Sequence, residues 1–302
     1  MPPRACWVRN PSSTMSHTFN FFGLTVRWVD QQVLPRYNCV MGNDSARRAK
    51  EAFTIVNADG LARAVLTCDH AGNHVPSAFD SLGLSDERLS EHIAWDIGAA
   101  ALTKQLAAQL DAPAIMATHS RLFIDPNRML GSADSILRVS DGVEVPGNQI
   151  VTRDEAGLRR DLSFWPYHHE VEKALHLSEY RKGTMAYVSV HSFTPSMAGA
   201  RRPWDIGVLY GRDDRMAKPV LAALRQVDGI CVGDNQPYSA THPPGYGLEA
   251  YGTSAGRPHV MVEIRQDLLL TTQGIVRWAD ILADALRGIL LNDDLFELQF
   301  FR

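Results

Sequence analysis

From about residue 50 onward the chain alternates short, almost uninterrupted apolar runs with segments of helical periodicity, and few folds accept that pattern. The runs are 63–68, 114–118, 185–190, 205–210, 230–232 and 260–264. Runs without a polar face suit strands that are covered on both sides. The segments between them read as amphipathic helices. Ser85 is placed to cap one, with Asp86 and Glu87 in its first turn and Leu89, Ile93, Ile97, Leu106 and Leu110 at helical spacing. Pro166 suits the first turn of a second that runs through Val171 and Leu175. Met216, Val220, Leu224 and Val227 mark a third, and Ile275, Trp278, Leu282 and Leu286 a fourth. Strands alternating with helices predict an α/β fold, a three-layer sandwich around a mostly parallel mixed sheet. The Pro- and Gly-rich stretch from Gln236 to Arg257 reads as one long functional loop.

The 302 residues allow two small domains or one large α/β domain. Residues 1–45 lack the pattern of the rest and are expected to be an extension, either poorly packed or a mis-called start, with Met15 and Met41 as other starts. Residues 46–302 are expected to form a single domain. Arg27 and Asp30 interrupt the one apolar stretch near the N-terminus, which argues against a secretory signal. No run approaches the roughly 20 apolar residues that span a bilayer. A net charge of -4 offers no basic excess for a phosphate backbone, which argues against nucleic acid as a partner. Cys6, Cys39, Cys68 and Cys231 are scattered, as expected for a chain kept in the reducing cytoplasm.

Ligands of open α/β sheets bind beyond the carboxyl ends of the strands. Four expected strands run there into unusual polar residues. The first leads into Asp69-His70-Ala71-Gly72-Asn73-His74, the second into His119-Ser120-Arg121 and then Asp125-Pro126-Asn127-Arg128. The third leads into His191-Ser192-Phe193-Thr194, and the last carries Glu263. Two histidines from different strands with one further ligand are what a catalytic Zn²⁺ needs, the fourth position staying open. Glu263 inside an apolar run needs a partner or a task, because a buried carboxylate costs several kcal/mol. General base is the task that fits. Arg121, Arg128 and Arg202 are candidates to clamp a carboxylate in a bidentate fork. The bland alternatives are a hydrogen-bonded structural histidine at each strand end and an Arg121–Asp125 ion pair that shapes a loop.

Three rival chemistries are testable on the same residues. Gly252-Thr253-Ser254-Ala255-Gly256 has the spacing of a serine-hydrolase elbow, but a strand should precede the serine and a helix follow it. Cys68 beside His70 could act as a nucleophile, although a cysteine closing a buried strand is usually inert. His169-Glu170 opens like a zincin motif, and Lys173 stands where the second histidine should be.

Taken in order, Cys68-Asp-His-Ala-Gly-Asn-His-Val-Pro76, Ala94-Trp-Asp-Ile-Gly98, Ser120-Arg-Leu-Phe-Ile-Asp-Pro-Asn-Arg128, Pro166-Tyr-His168, Val190-His-Ser-Phe-Thr-Pro195, Arg202-Pro-Trp204 and Val262-Glu-Ile-Arg-Gln-Asp267 resemble the N-formylglutamate amidohydrolase family. The resemblance covers roughly residues 52–290. It implies a phosphorylase/hydrolase-type fold shared with zinc carboxypeptidases and aspartoacylase, and hydrolysis of an acidic N-acyl amino acid, typically N-formyl-L-glutamate to formate and glutamate. It implies His70 and His191 as ligands of a divalent metal, expected to be Zn²⁺, and Glu263 as the catalytic carboxylate, with Arg121 at the reacting carbonyl. Arg128, Asn127, Arg202 and His168 are then expected to bind substrate. The related carboxypeptidases use H-x-x-E for their first ligands, and Asn73 stands at that position here. The third ligand is therefore left open between Asn73, Asp96 and an unassigned group. A different class stays open beside the enzyme, a non-catalytic protein that binds an acidic amino acid derivative.

Overall fold

A computed structural model describes residues 18–21, 24–27, 51–197, 199–239 and 245–301. The chain divides into two compact units, Met1–Gly42 and Asn43–Arg302. In the first, Thr18–Phe21 pairs with Leu24–Arg27 as an antiparallel hairpin. The rest of the expected N-terminal extension lies outside the described residues.

Among the described residues, the second unit is built on one seven-stranded sheet: β1 (Phe53–Val56), β2 (Ala64–Cys68), β3 (Ala114–Ala117), β4 (Ala186–Phe193), β5 (Ile206–Leu209), β6 (Val232–Asp234) and β7 (His259–Arg265). Their spatial order is β6-β5-β7-β4-β2-β3-β1. The β6–β5, β7–β4, β4–β2 and β2–β3 pairs are parallel, and β5–β7 and β3–β1 are antiparallel. The mixed, mostly parallel sheet is the one expected. Strands β2, β3, β4 and β5 are buried along their whole length, which is why they read as unbroken apolar runs. Strand β1 gave no such run. It pairs only with β3, and its middle residues Thr54 and Ile55 are exposed. The short strand expected at 230–232 begins two residues later, at Val232.

Among the described residues, six α-helices complete the layers: α1 (Asp86–Ser90), α2 (Ala99–Leu110), α3 (Arg153–Arg159), α4 (Trp165–Lys182), α5 (Ala217–Leu224) and α6 (Thr272–Leu290). On one face of the sheet, Leu102 and Leu106 of α2, Val220 of α5 and Trp278 and Leu282 of α6 join a core with Val188 and Val262. On the other, Val171 and Leu175 of α4 pack with Val65, Tyr187 and Met261. Alternate residues of one strand therefore feed opposite cores. This period of two sorts the site as well. Tyr187, Ser189 and His191 share one face of β4, and Met261 and Glu263 share the same face of β7.

One helix expectation is corrected, and one loop gains structure. The helix that Ser85 caps ends at Ser90 and does not run on to Leu110. Ser85 does accept from the Arg88 N–H, but the chain then leaves the helix until Ala99. The Asp96 N–H is spent on the His70 carbonyl at 2.9 Å, and Gly98 sits at φ 84° against Leu269, so neither continues a helix. Pro166 stands in the first turn of α4, as expected, and that helix runs on through Val171 and Leu175. The chain runs from α3 through a π turn at Arg160–Phe164 directly into α4, and the wider turn accommodates a proline that has no N–H to give. The second half of the expected 236–257 loop contains another π turn, Leu248–Thr253, while residues 240–244 lie outside the described residues.

Candidate active site

The carboxyl ends of β2, β4 and β7 meet the loops that follow β3 and α1. Backbone bonds stitch these loops together before any side chain acts. Besides Asp96 N–H to His70 O, Ser120 N–H donates to His74 O at 2.8 Å and Arg121 N–H to Ala94 O at 3.1 Å. Gly72 is required for this approach, because a Cβ there would fall 2.1 Å from the Thr118 carbonyl oxygen. Arg159, wholly buried, fastens the next loop by donating to Phe123 O at 3.0 Å and Asn148 Oδ1 at 2.6 Å.

At the centre lies Asp96. Its Oδ2 is 2.9 Å from His191 Nδ1 and 3.5 Å from His70 Nδ1, and it accepts the Ser192 N–H at 3.2 Å. Its Oδ1 accepts from Arg121 Nη2 at 2.6 Å. The same Arg121 nitrogen contacts His70 Nδ1. Each histidine turns its other nitrogen to a second carboxylate. His70 Nε2 meets Asp125 Oδ1 at 2.7 Å, and His191 Nε2 meets Asp69 Oδ2 at 3.0 Å. Asp69 is held in turn by the hydroxyls of Tyr167 and Ser189, at 2.7 and 3.1 Å. Glu263 lies beside His191 in the β4–β7 ladder, and its Oε2 is buried with no hydrogen-bond partner among the described residues.

The electrostatics follow from this crowding. Burial opposes charge on His191, but hydrogen bonds to Asp69 and Asp96 carry its pKa up to about 10. Burial likewise opposes the Asp69 carboxylate, and the His191 bond and charge pull it down to about 2. Asp96 is held well below the carboxylate range, against burial, by Arg121 and the histidines. Burial pushes Glu263 up to about 7, Asp96 adding to the rise and His191, Arg121 and His70 opposing it.

Among the described residues, His70, Asp96 and His191 form one group of three whose donor atoms lie within 4.8 Å of one another, all buried. The donor set fits a divalent metal. Two imidazole nitrogens and a carboxylate oxygen are a zinc-type set, and carboxylates Asp125 and Asp69 orient the rings from behind. The four carboxyl groups gathered here face one guanidinium and two imidazoles, a negative excess that a cation would balance.

The other expected residues divide. Asn73 stands outside the group, its amide donating to Leu89 O at 2.8 Å, so Asp96 is the third donor that the geometry offers. Arg128 is paired with Asp134 at 2.8 Å. Asn127 is buried, and its side-chain oxygen is unpartnered among the described residues. Arg202 is buried and meets no carboxylate among the described residues. His168, expected at the substrate, is a brace instead. Both ring nitrogens are taken, by Tyr251 OH at 2.9 Å and Pro126 O at 2.8 Å. The bland alternative of an Arg121–Asp125 ion pair is not what forms: Arg121 reaches Asp96 and Asp125 reaches His70. Asp69 and Asp125, noted above only for their place at the strand ends and in a loop pair, and Ser189, not noted at all, gain roles as partners of the histidines and of each other. Their one sequence signal is position: Asp69 precedes His70, and Ser189 shares a strand face with His191.

Two rival chemistries fail on geometry. Ser254 is exposed, follows a π turn and precedes a strand, and its hydroxyl donates to Glu249 at 2.7 Å, while His259 bonds Arg257 O. Cys68 is fully buried, and burial pushes its thiol well above the ordinary range.

Buried histidines also set a stability profile. Burial holds His168 at about 4, and burial with the charge of His74 holds His119 at about 4. Both lie below the ~6.5 of an unfolded histidine. Between those values the unfolded chain binds the extra protons. Each contribution is complete above pH ~6.5 and is lost as the pH falls toward 4, at up to ~1.4 kcal/mol per pH unit. Urea unfolding of chelator-treated protein is expected to show lower stability at pH 5 than at pH 7, with His119→Gln losing less than wild type. Equal losses would remove His119 from the account.

The class of the protein, an amidohydrolase, follows from the family that its sequence matches. Residues 62–270 match the family described as N-formylglutamate amidohydrolase, and the chain belongs to that family. Among solved structures it is similar to the gene product Atu2144 from Agrobacterium tumefaciens, with 29% identity, a TM-score of 0.76 and coverage of 80% of this chain and 98% of that one. It shares its fold with an N-formylglutamate amidohydrolase from Ralstonia eutropha JMP134, with 22% identity, a TM-score of 0.64 and coverage of 80% and 97%. No curated protein matches. No helix among the described residues is long and apolar enough to cross a membrane.

Proposed function

We propose that the protein hydrolyses the amide bond of an acidic N-acyl amino acid, N-formyl-L-glutamate to formate and L-glutamate, with Zn²⁺ held by His70, Asp96 and His191. The observation that carries this reading is the unpartnered, buried oxygen of Glu263 beside that donor group. A divalent cation there supplies a Lewis acid that polarises the acyl oxygen and makes a nearby water more acidic. Glu263 takes a proton from the attacking water and returns it to the departing nitrogen, a double duty suited to a group that titrates near neutrality. Arg121, fixed by Asp96, presents positive charge to the acyl oxygen as the carbonyl becomes tetrahedral, a stabilisation typically worth about 3–4 kcal/mol. Arg202 receives a substrate carboxylate. Arg128 receives the second by exchanging Asp134 for it. Asn127 offers its free side-chain oxygen to a substrate donor. The enzyme works in the cytoplasm in this reading, with Cys68 and Cys231 as free thiols.

The test is formate release from N-formyl-L-glutamate by protein supplied with Zn²⁺ or Co²⁺, with a chelator control. Release that the chelator abolishes and metal restores is expected. Tight binding of the compound without turnover under any metal would make the protein a binding protein instead.

A further inference from the structure

Arg202 is a buried cation that lacks a counter-ion among the described residues. Its Nη1 donates to Thr194 Oγ1 at 3.1 Å, to Thr194 O at 3.4 Å and to Tyr238 OH at 3.0 Å, and its Nη2 meets Met197 Sδ at 2.9 Å. Every partner is neutral, and the sulfur is a weak acceptor. Burying a charge without an opposite charge costs several kcal/mol unless something arrives to pair it. The guanidinium is nevertheless held firmly, lying over the Tyr238 ring at 4.8 Å and the Phe193 ring at 5.7 Å from their centroids. Phe193 ends the strand that carries His191 and Thr194 follows it, so this held cation is anchored at the same carboxyl end of β4 that presents His191.

Tyr238 is the less obvious half of this arrangement. Its hydroxyl oxygen accepts from Arg202, so the hydroxyl hydrogen must point elsewhere. No acceptor for it occurs among the described residues. Burial, and after it the charge of Glu263, raises the phenol above its ordinary range. The hydroxyl therefore stays a donor across the neutral range, within electrostatic reach of Glu263.

We propose that Tyr238 determines specificity: its hydroxyl and the Arg202 guanidinium together grip one carboxylate of the substrate's amino-acid portion, so that an anionic group is required at that position. The identity of the substrate rests on the function proposed above; the grip itself does not. A carboxylate accepts from both donors at once. A carboxamide turns N–H toward one of them and leaves a donor unmet, and such mismatches are penalised heavily.

The experiment compares wild type with Tyr238→Phe. Steady-state kinetics use N-formyl-L-glutamate and its two monoamides, and titration calorimetry uses L-glutamate, all on metal-loaded protein. A hydrogen bond to a charged group is worth about 1.5–3 kcal/mol, so the phenylalanine is expected to raise KM roughly ten- to a hundredfold with kcat changed less than about threefold. Wild type should reject one monoamide, and Y238F should narrow that rejection by the same factor. The L-glutamate Kd should weaken in parallel. An unchanged KM, or a fall in kcat with KM constant, overturns the grip. If wild type releases no formate, the substrate reading fails separately, and calorimetry alone decides: a weaker Kd in Y238F supports the grip, and equal or undetectable binding in both proteins overturns it.

Discussion

Glu263→Gln is expected to lower kcat about a thousand- to ten-thousand-fold while KM moves less than about threefold, the loss that removing a proton carrier produces. In barrier height this is about 4–5 kcal/mol. Glutamine keeps the shape of the side chain beside His191 and cannot take up a proton. In the proposed function substrate affinity is held elsewhere, at Arg128 and Arg202, so it should survive. A second readout separates this loss from misfolding. Folding raises the carboxyl from about 4.5 to about 7, chiefly through burial. The folded state therefore keeps a proton that the unfolded chain gives up between those values. The contribution to stability is complete below pH 4.5 and is lost as the pH rises through 7. In metal-free protein at pH 8 the ionised Glu263 should cost roughly 1–3 kcal/mol, which glutamine relieves. The variant is thus expected to be inactive and to melt above wild type at pH 8, with the gain vanishing toward pH 4.5. A kcat loss below tenfold would take the proton-transfer role away from Glu263.

The parts of this architecture that were legible in the chain are those with a local signature. A strand buried on both faces has no polar side, so β2, β3, β4, β5 and β7 stand out as apolar runs, and the polar residues that interrupt them or follow them mark the sheet's active edge. Glu263 is the clearest case, a carboxylate among Val260, Met261, Val262 and Ile264. Pairings between distant loops have no such signature. Asp125 and His70 are 55 residues apart, and Asp69 and His191 are 122 apart. The same blindness explains the helix that was read straight through 91–98. Ile93 and Ile97 keep helical spacing, but Ile93 belongs to a loop core with Leu89 and Phe123, and the backbone there serves His70. Tyr238 was hidden for another reason. It lies in a Pro- and Gly-rich stretch with no periodicity, and its meaning comes only from Arg202, 36 residues earlier.

The third donor is where spacing and geometry part, and a pair of substitutions decides between them. Asp96→Asn is expected to strip the metal: after dialysis the zinc content should fall from about one equivalent per chain to below about a tenth, and formate release should become undetectable. The amide retains the bulk of the side chain but loses the charge that both imidazoles and Arg121 face, at 2.9, 3.5 and 2.6 Å. Without metal, leaving Arg121 unpaired should also cost about 2–3 kcal/mol, discounted because its side chain is 24% exposed. Thermal melts with and without Zn²⁺ separate the two effects. Bound metal at a hundredfold excess over Kd adds about 2.7 kcal/mol to wild type, and it should add nothing to D96N. Asn73→Ala is the counterpart. Its amide serves only the Leu89 carbonyl among the described residues, so this variant should keep its zinc and its zinc-dependent rise in melting temperature, at a cost of about 1 kcal/mol for the lost hydrogen bond. Zinc retained by D96N and lost by N73A would transfer the ligand role to Asn73, and with it the anchor of the proposed site.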